Sequence, residues 1–207
     1  MLPAGFTYVK DPRFLLSLRY LTSDNFVGRP IAGYEGNVCI LTEKAATALS
    51  AVQDDLDRLN QGYHLKIFDA YRPVTAVLDF SQWAQNPNQQ EQKAQFYPNV
   101  PKSELFKQGY LADHSSHSRG STVDLTISVI SAASAVPIDL DMGTIFDFFD
   151  EKAHTLSPEV SPMARKNRLL LKDTLEKHQL INYPLEWWHF TLANEPFPDT
   201  YFDFPVL

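Results

Sequence analysis

The chain has 207 residues, of which 44% are hydrophobic and 21% charged, and a formal net charge of −7. This is ordinary globular usage, which excludes disordered and fibrous classes, and the length suits one domain over residues 1–207 with a single core. The acidic balance, with no run of Lys or Arg, argues against a nucleic-acid partner. Cys39 is the only cysteine, which excludes an internal disulfide and any thiolate-rich metal cluster. The start, Met1 to Phe6, has no signal-like character and no later apolar run is long enough for a bilayer, so no membrane association is expected. The cytoplasm is the expected compartment, with the periplasm as the alternative if a leader has been removed.

In chain order, the first forty residues mix short apolar runs with turn residues (Gly28-Arg29-Pro30, Gly33, Gly36-Asn37), which predicts irregular structure and short strands. Val38 to Leu41 reads as a buried strand, making Cys39 an inert packed thiol rather than a nucleophile. Thr42 is placed to cap a helix in which Ala45, Leu49, Val52, Leu56 and Leu59 recur at helical spacing, ending near Asn60-Gln61-Gly62. Leu65 to Ala70 reads as a strand, and Pro73 opens a second helix carried by Val74, Val77, Leu78 and Phe80 toward Trp83. Residues 85–113 are rich in Gln and Asn and broken by Pro87, Pro98 and Pro101. They keep Phe96, Tyr97, Phe106 and Tyr110 for packing, so a helical excursion or lid is expected rather than a linker. Ser121 to Val129 reads as a core strand. Asp147 and Asp150 fall where an exposed helix start is expected. Ser161-Pro162 begins a further helix through Leu169, Leu170 and Leu175 to His178, and Trp188 to Leu192 is the last strand. The order predicts an α+β fold, a small and mostly antiparallel sheet with helices packed against it.

Two segments carry chemistry: His117 with Asp124, and Glu186 with His189. Two imidazoles and a carboxylate can hold a metal ion with one position left open, and a second carboxylate beside them can serve as a base. His117 and Asp124 are seven positions apart, so on one continuous strand they would face opposite sides of a sheet. Both reach one ion only if the chain turns at Ser118-Arg119-Gly120, where Gly120 can take positive φ cheaply. Glu186 and His189, three apart in strand-like sequence, pose the same difficulty, which Pro184 can resolve by holding Glu186 in a turn ahead of the strand. Taken singly, each segment also has a plain reading: a surface histidine beside an exposed Asp, and a strand whose Trp187, Trp188 and Phe190 pack the core. His64, His154 and His178 have no partner pattern and are expected to be solvated or structural.

Together the segments resemble the pattern Ser-x-His-x-x-Gly-x-x-x-Asp followed by Glu-x-x-His of zinc D-Ala-D-Ala peptidases. It stands here as Ser115-Ser116-His117-Ser118-Arg119-Gly120-Ser121-Thr122-Val123-Asp124 and Glu186-Trp187-Trp188-His189. The nearest likeness is to the D-alanyl-D-alanine dipeptidase family, the group associated with vancomycin resistance and with use of D-dipeptides. Phe68 to Pro73, Asp139 to Gly143 and Tyr20 to Gly28 extend it, so it runs from about residue 20 to 192.

The resemblance implies one Zn²⁺ per chain in a central cavity, held by His117, Asp124 and His189. It implies hydrolysis of D-Ala-D-Ala by water, with Glu186 as the base and Arg72 stabilising the oxyanion. It also implies Asp141 as the partner of the substrate's α-ammonium, aided by Tyr20, and Ser115 as a donor to its carboxylate. Asp141 reads equally as a residue ahead of a helix at Thr144-Ile145-Phe146, and His114 as a neighbour of the site or a surface residue. A small D,D-dipeptide is the expected partner, and no pattern bears on oligomeric state. The rivals are a zinc D,D-carboxypeptidase acting on peptidoglycan precursor peptides and a non-catalytic zinc-binding module. The presence of both Glu186 and Arg72 speaks against the second, since a purely structural site needs neither.

Overall fold

The computed structural model describes residues 1–131 and 134–207. Its first strands are short, as the turn-rich start predicts: β1 (Phe6–Tyr8), β2 (Leu15–Leu16) and β3 (Ile40–Thr42), with a single 3₁₀ turn at Arg19–Leu21 that buries Tyr20. Cys39 is buried just ahead of β3, and burial pushes its thiol well up, so the inert reading stands. Thr42 closes β3 and caps α1 (Glu43–Asp57), its Oγ1 accepting from the Ala45 N–H at 3.4 Å. Ala45, Leu49, Val52, Gln53 and Leu56 form the buried face. The helix stops one turn before the apolar spacing does. Asn60 takes the left-handed region (φ 54°) and leaves Leu59 exposed.

Gln53 is a polar residue on that apolar face. Its amide donates to the Tyr63 carbonyl at 2.8 Å and accepts from the Leu65 N–H at 2.9 Å, tying α1 to β4 (Tyr63–Asp69). Pro73 then caps α2 (Val74–Gln85), which turns Ala76, Val77, Phe80 and Trp83 inward and Leu78 outward. The 85–113 excursion contains one helical turn, α3 (Lys93–Phe96), and a 3₁₀ turn at Lys102–Glu104. Lys102 fastens it to the end of α2 by donating to the carbonyls of Asn86 (2.7 Å) and Gln89 (2.9 Å). Phe96, Tyr97 and Tyr110 are buried, as expected of an excursion that packs on the core.

The remaining elements are β5 (Thr122–Ser131), β6 (Ser134–Asp139), α4 (Pro162–Lys177), β7 (Leu180–Asn182) and β8 (His189–Leu192). Ser161 caps α4, its Oγ accepting from the Ala164 N–H at 3.0 Å. The main sheet runs β2-β4-β5-β8-β7, with β6 paired to the later part of β5. Every pair is antiparallel except β2 with β4, so the fold is α+β as predicted, with a mixed sheet, and β1 and β3 form a separate two-stranded one. Among the described residues no helix is long and apolar enough to cross a membrane.

The register of the sheet places the chemistry. Asp124 on β5 lies opposite Asp69 on β4 and opposite His189 on β8. Partners across antiparallel strands share a face, so three side chains from distant parts of the chain emerge side by side.

Candidate active site

Asp124 is the hub. Its Oδ2 lies 3.2 Å from His117 Nε2 and its Oδ1 lies 3.1 Å from His189 Nδ1. One donor atom from each of the three residues falls within 4.8 Å of the others. His117 reaches this point because the chain does turn: Ser116–Arg119 form a 3₁₀ turn ended by Gly120 at φ 79°. A Cβ on Gly120 would collide with the Phe6 ring. His117 Nδ1 sits 2.6 Å from the Ala70 carbonyl, which only accepts, so this nitrogen carries the proton and Nε2 offers its lone pair inward. On the other side, His189 presents Nδ1 to the cluster while its Nε2 lies 3.3 Å from Ser116 Oγ.

Glu186 comes from the turn before β8, and its Oε2 is 3.4 Å from His189 Nδ1. Arg72 approaches from the other side. Its guanidinium donates to Asp69 Oδ2 at 2.9 Å and to Asp124 Oδ2 at 3.4 Å, and lies over the rings of Tyr20 and Phe80. Asp69 is itself held by the Tyr34 hydroxyl at 2.7 Å. Nothing in the Phe68 to Pro73 motif alone assigns Asp69 a task; its place comes from its register opposite Asp124.

His117, Asp124, His189, Glu186 and Arg72 line a cavity of about 480 Å³ together with Tyr20, Ser115 and Asp147, and the end of the excursion, Gly109 to Ala112, supplies part of the wall. Ser115 caps the 3₁₀ turn by accepting from the His117 N–H at 3.3 Å. His114 stands at the same wall, exposed, with its ring against Tyr201. His64 and His178 make ordinary contacts away from the cavity, with the Arg13 carbonyl and with Asp55.

Asp141 is the expected site residue that the structure does not bring here. It is exposed, its carboxylate accepts the Gly143 N–H at 2.8 Å, and it borders a different depression beside Arg19 and Asp139. The helix expected at Thr144-Ile145-Phe146 does not form. The carbonyls of Asp141 and Met142 are tied to Asn167 and Arg168 on α4, which turns the Asp141 side chain outward. The chain then carries Phe146 and Asp147 inward. Asp147, expected on an exposed helix start, is only 4% exposed, sits at φ 59°, and accepts from the Tyr20 hydroxyl at 2.9 Å. The aromatic setting Phe146-Asp147-Phe148-Phe149 was a signal against exposure. Asp150 does cap a short turn, Glu151–Ala153.

The electrostatics are acid-rich: Asp69, Asp124, Asp147 and Glu186 all act on the Arg72 guanidinium, while Arg119, also at the wall, is paired with Glu195 at 2.8 Å. Burial, reinforced by Asp124 and Asp147, pushes the Glu186 carboxyl well above the ordinary range. Burial and Asp124 do the same to Asp147. Two candidate ligand atoms at the centre, His117 Nε2 and Asp124 Oδ1, are buried without a hydrogen-bond partner among the described residues. Buried polar atoms are rarely left so. A divalent cation between the two imidazoles and the carboxylate would satisfy both atoms and relieve the repulsion, so the residues fit a metal.

A family model described as Peptidase_M15, D-ala-D-ala dipeptidase, matches residues 10–207. The D-alanyl-D-alanine dipeptidase of Enterococcus faecium is 42% identical over 188 residues, 91% of this chain and 90% of the relative. The protein of that name in Streptomyces coelicolor is 39% identical over the same shares, and that of Escherichia coli K12 33% identical over 87% and 80%. The chain therefore belongs to the D-alanyl-D-alanine dipeptidase family of the M15 peptidases.

Proposed function

We propose that this chain is a zinc-dependent D,D-dipeptidase that hydrolyses free D-Ala-D-Ala to two D-alanines. The observation that carries the reading is the convergence of His117, Asp124 and His189 on one point, with Glu186 and Arg72 flanking it in a small cavity. Two neutral imidazoles and a carboxylate are the donor set of a catalytic zinc, which when bound supplies Lewis acidity to water and to the peptide carbonyl.

The protein's own groups do the rest. Glu186 takes a proton from the water that attacks the carbonyl carbon and returns it to the departing amine as the C–N bond breaks. Its burial favours a proton affinity suited to both steps. Arg72, fixed by Asp69, faces the negative charge that develops on the carbonyl oxygen. No covalent acyl-enzyme is required. Asp147 takes the place assigned to Asp141: a buried acid held only by the Tyr20 hydroxyl among the described residues is suited to an α-ammonium. Ser115 faces the other end of the cavity chemistry as a donor to the substrate carboxylate. The buried Asp147 also favours a dipeptidase over a carboxypeptidase, whose longer substrate brings no free ammonium to that point.

Turnover of free D-Ala-D-Ala and its N-acetylated form, with and without a chelator, tests the reading. Hydrolysis of the free dipeptide alone, lost on chelation, is expected; equal cleavage of the blocked substrate overturns the assignment. Glu186→Gln should keep its zinc and lose hydrolysis, and undiminished turnover in that variant removes Glu186 as the base.

A further inference from the structure

In an extended strand Glu186 and His189 would point to opposite faces, yet both reach the cavity. The backbone between them coils back on itself: the Glu186 N–H donates to the Tyr183 carbonyl at 3.0 Å, the His189 N–H to the Glu186 carbonyl at 3.4 Å, and the Tyr183 N–H to the His189 carbonyl at 2.9 Å. One side chain gathers the result. The Asn182 amide, at the end of β7, donates to the Glu186 carbonyl at 3.0 Å and to the His189 carbonyl at 3.1 Å. Both of its N–H groups are thus spent on the two residues that carry the chemistry.

The amide works only one way round. Flipped, it would set its oxygen against two carbonyl oxygens. Thr155 decides the orientation, because its hydroxyl donates to Asn182 Oδ1 at 2.6 Å. Its own N–H donates to the Pro184 carbonyl at 3.0 Å, so Thr155 holds both the amide and the turn. The two residues are 27 positions apart. Asn182 is 8% exposed and Thr155 2%, so water competes little for these bonds and their geometry is enforced.

We infer that Asn182, oriented by Thr155, is a positioning residue that sets the separation between the base Glu186 and the metal ligand His189. It borders the cavity, but both of its N–H groups are spent on backbone, so it acts through the two carbonyls. The inference rests on the zinc reading above. Displacement of a supporting group or a shift near 1 Å weakens metal binding by about 10–100-fold or turnover by up to about 10²-fold.

The test compares wild type, Asn182→Ala, Thr155→Val and Thr155→Ser as zinc-loaded proteins. Zinc affinity is measured by competition with a chromophoric chelator, alongside kcat and KM for free D-Ala-D-Ala and the melting temperature. Asn182→Ala and Thr155→Val should each bind zinc about 10-fold more weakly and lose about 10-fold or more in kcat, with KM little changed. Thr155→Ser, which keeps the hydroxyl, should restore both. A fall in melting temperature with zinc affinity and kcat intact, or a rise in KM alone, overturns the inference. If Asn182→Ala does not fold, the Thr155 pair decides. Wild type that neither binds zinc nor hydrolyses the dipeptide sinks the zinc reading, whereas an active wild type with an unaffected Thr155→Val sinks only the positioning role.

Discussion

Replacing Asp147 by Asn should weaken the enzyme and stabilise the protein at once. The substitution keeps the shape of the side chain, and its amide oxygen can still accept from the Tyr20 hydroxyl, 2.9 Å away in the parent. What disappears is the charge proposed to face the α-ammonium. A charge-assisted hydrogen bond contributes about 1.5–3 kcal/mol, so kcat/KM for free D-Ala-D-Ala should fall roughly 10- to 10²-fold. Any residual turnover of N-acetyl-D-Ala-D-Ala should not change. Stability moves the opposite way, because Asp147 is buried near Asp124 and its carboxyl is held well above the ordinary range. A raised folded-state pKa gives stability that is complete below the unfolded value, about 3.9, and is lost as pH rises. The variant has no such loss. Its melting temperature should match wild type near pH 4 or below and exceed it increasingly toward pH 8. Relief of about 1–3 kcal/mol corresponds to roughly 2–10 °C for a chain of this size. Calorimetry across that pH range, paired with kinetics on the two substrates, reads both effects. Free-dipeptide turnover within twofold of wild type, or a variant less stable at pH 8, would refute the reasoning.

Two further outcomes follow from the framework around the site. Arg168 is fully buried and donates to the carbonyls of Met142 (2.7 Å), His154 (2.7 Å) and Lys152 (3.1 Å), with burial lowering its pKa to about 10. Arg168→Met orphans those carbonyls at about 1–3 kcal/mol each, offset by relief of a buried cation, so a net loss of about 2–4 kcal/mol is expected. Thermal melts should show it, and KM for the free dipeptide should rise, because the 142–154 segment carries Asp147; an unchanged KM would separate that segment from substrate binding. On the surface, Arg29 pairs with Asp79 at 2.6 Å and holds its carboxyl below the ordinary range. Arg29 is partly exposed, so screening limits the contribution to about 1 kcal/mol or less. A lowered pKa means stability present above the unfolded value and lost as pH falls, so the melting deficit of Asp79→Asn should appear at pH 7 and vanish below about pH 3. A deficit that persists at low pH would show that the loss is not electrostatic.

The local signals were sound wherever one segment decides its own conformation. Thr42 and Ser161 cap the helices that their spacing announced, because capping involves neighbours a few residues away. Gly120 turns the chain as the His117 to Asp124 spacing demanded. The excursion at 85–113 packs as its aromatics suggested.

The amino-acid sequence alone, through its motif and spacing, determined which residues could make a metal site and where the chain had to bend to assemble it. Only the tertiary structure decided which acid faces the cavity. Asp141 and Asp147 are six residues apart in one irregular segment, and beyond the aromatic neighbours of Asp147 nothing local distinguishes them as inward or outward. The choice comes from α4 pulling the Met142 carbonyl onto Arg168 and from Tyr20, 127 residues away, meeting Asp147. The same holds for Asp69, which acquires its place from strand register, and for Asn182, which acquires its place from Thr155. Side-chain direction in a loop is set by partners distant in sequence, and those partners exist only once the chain has folded.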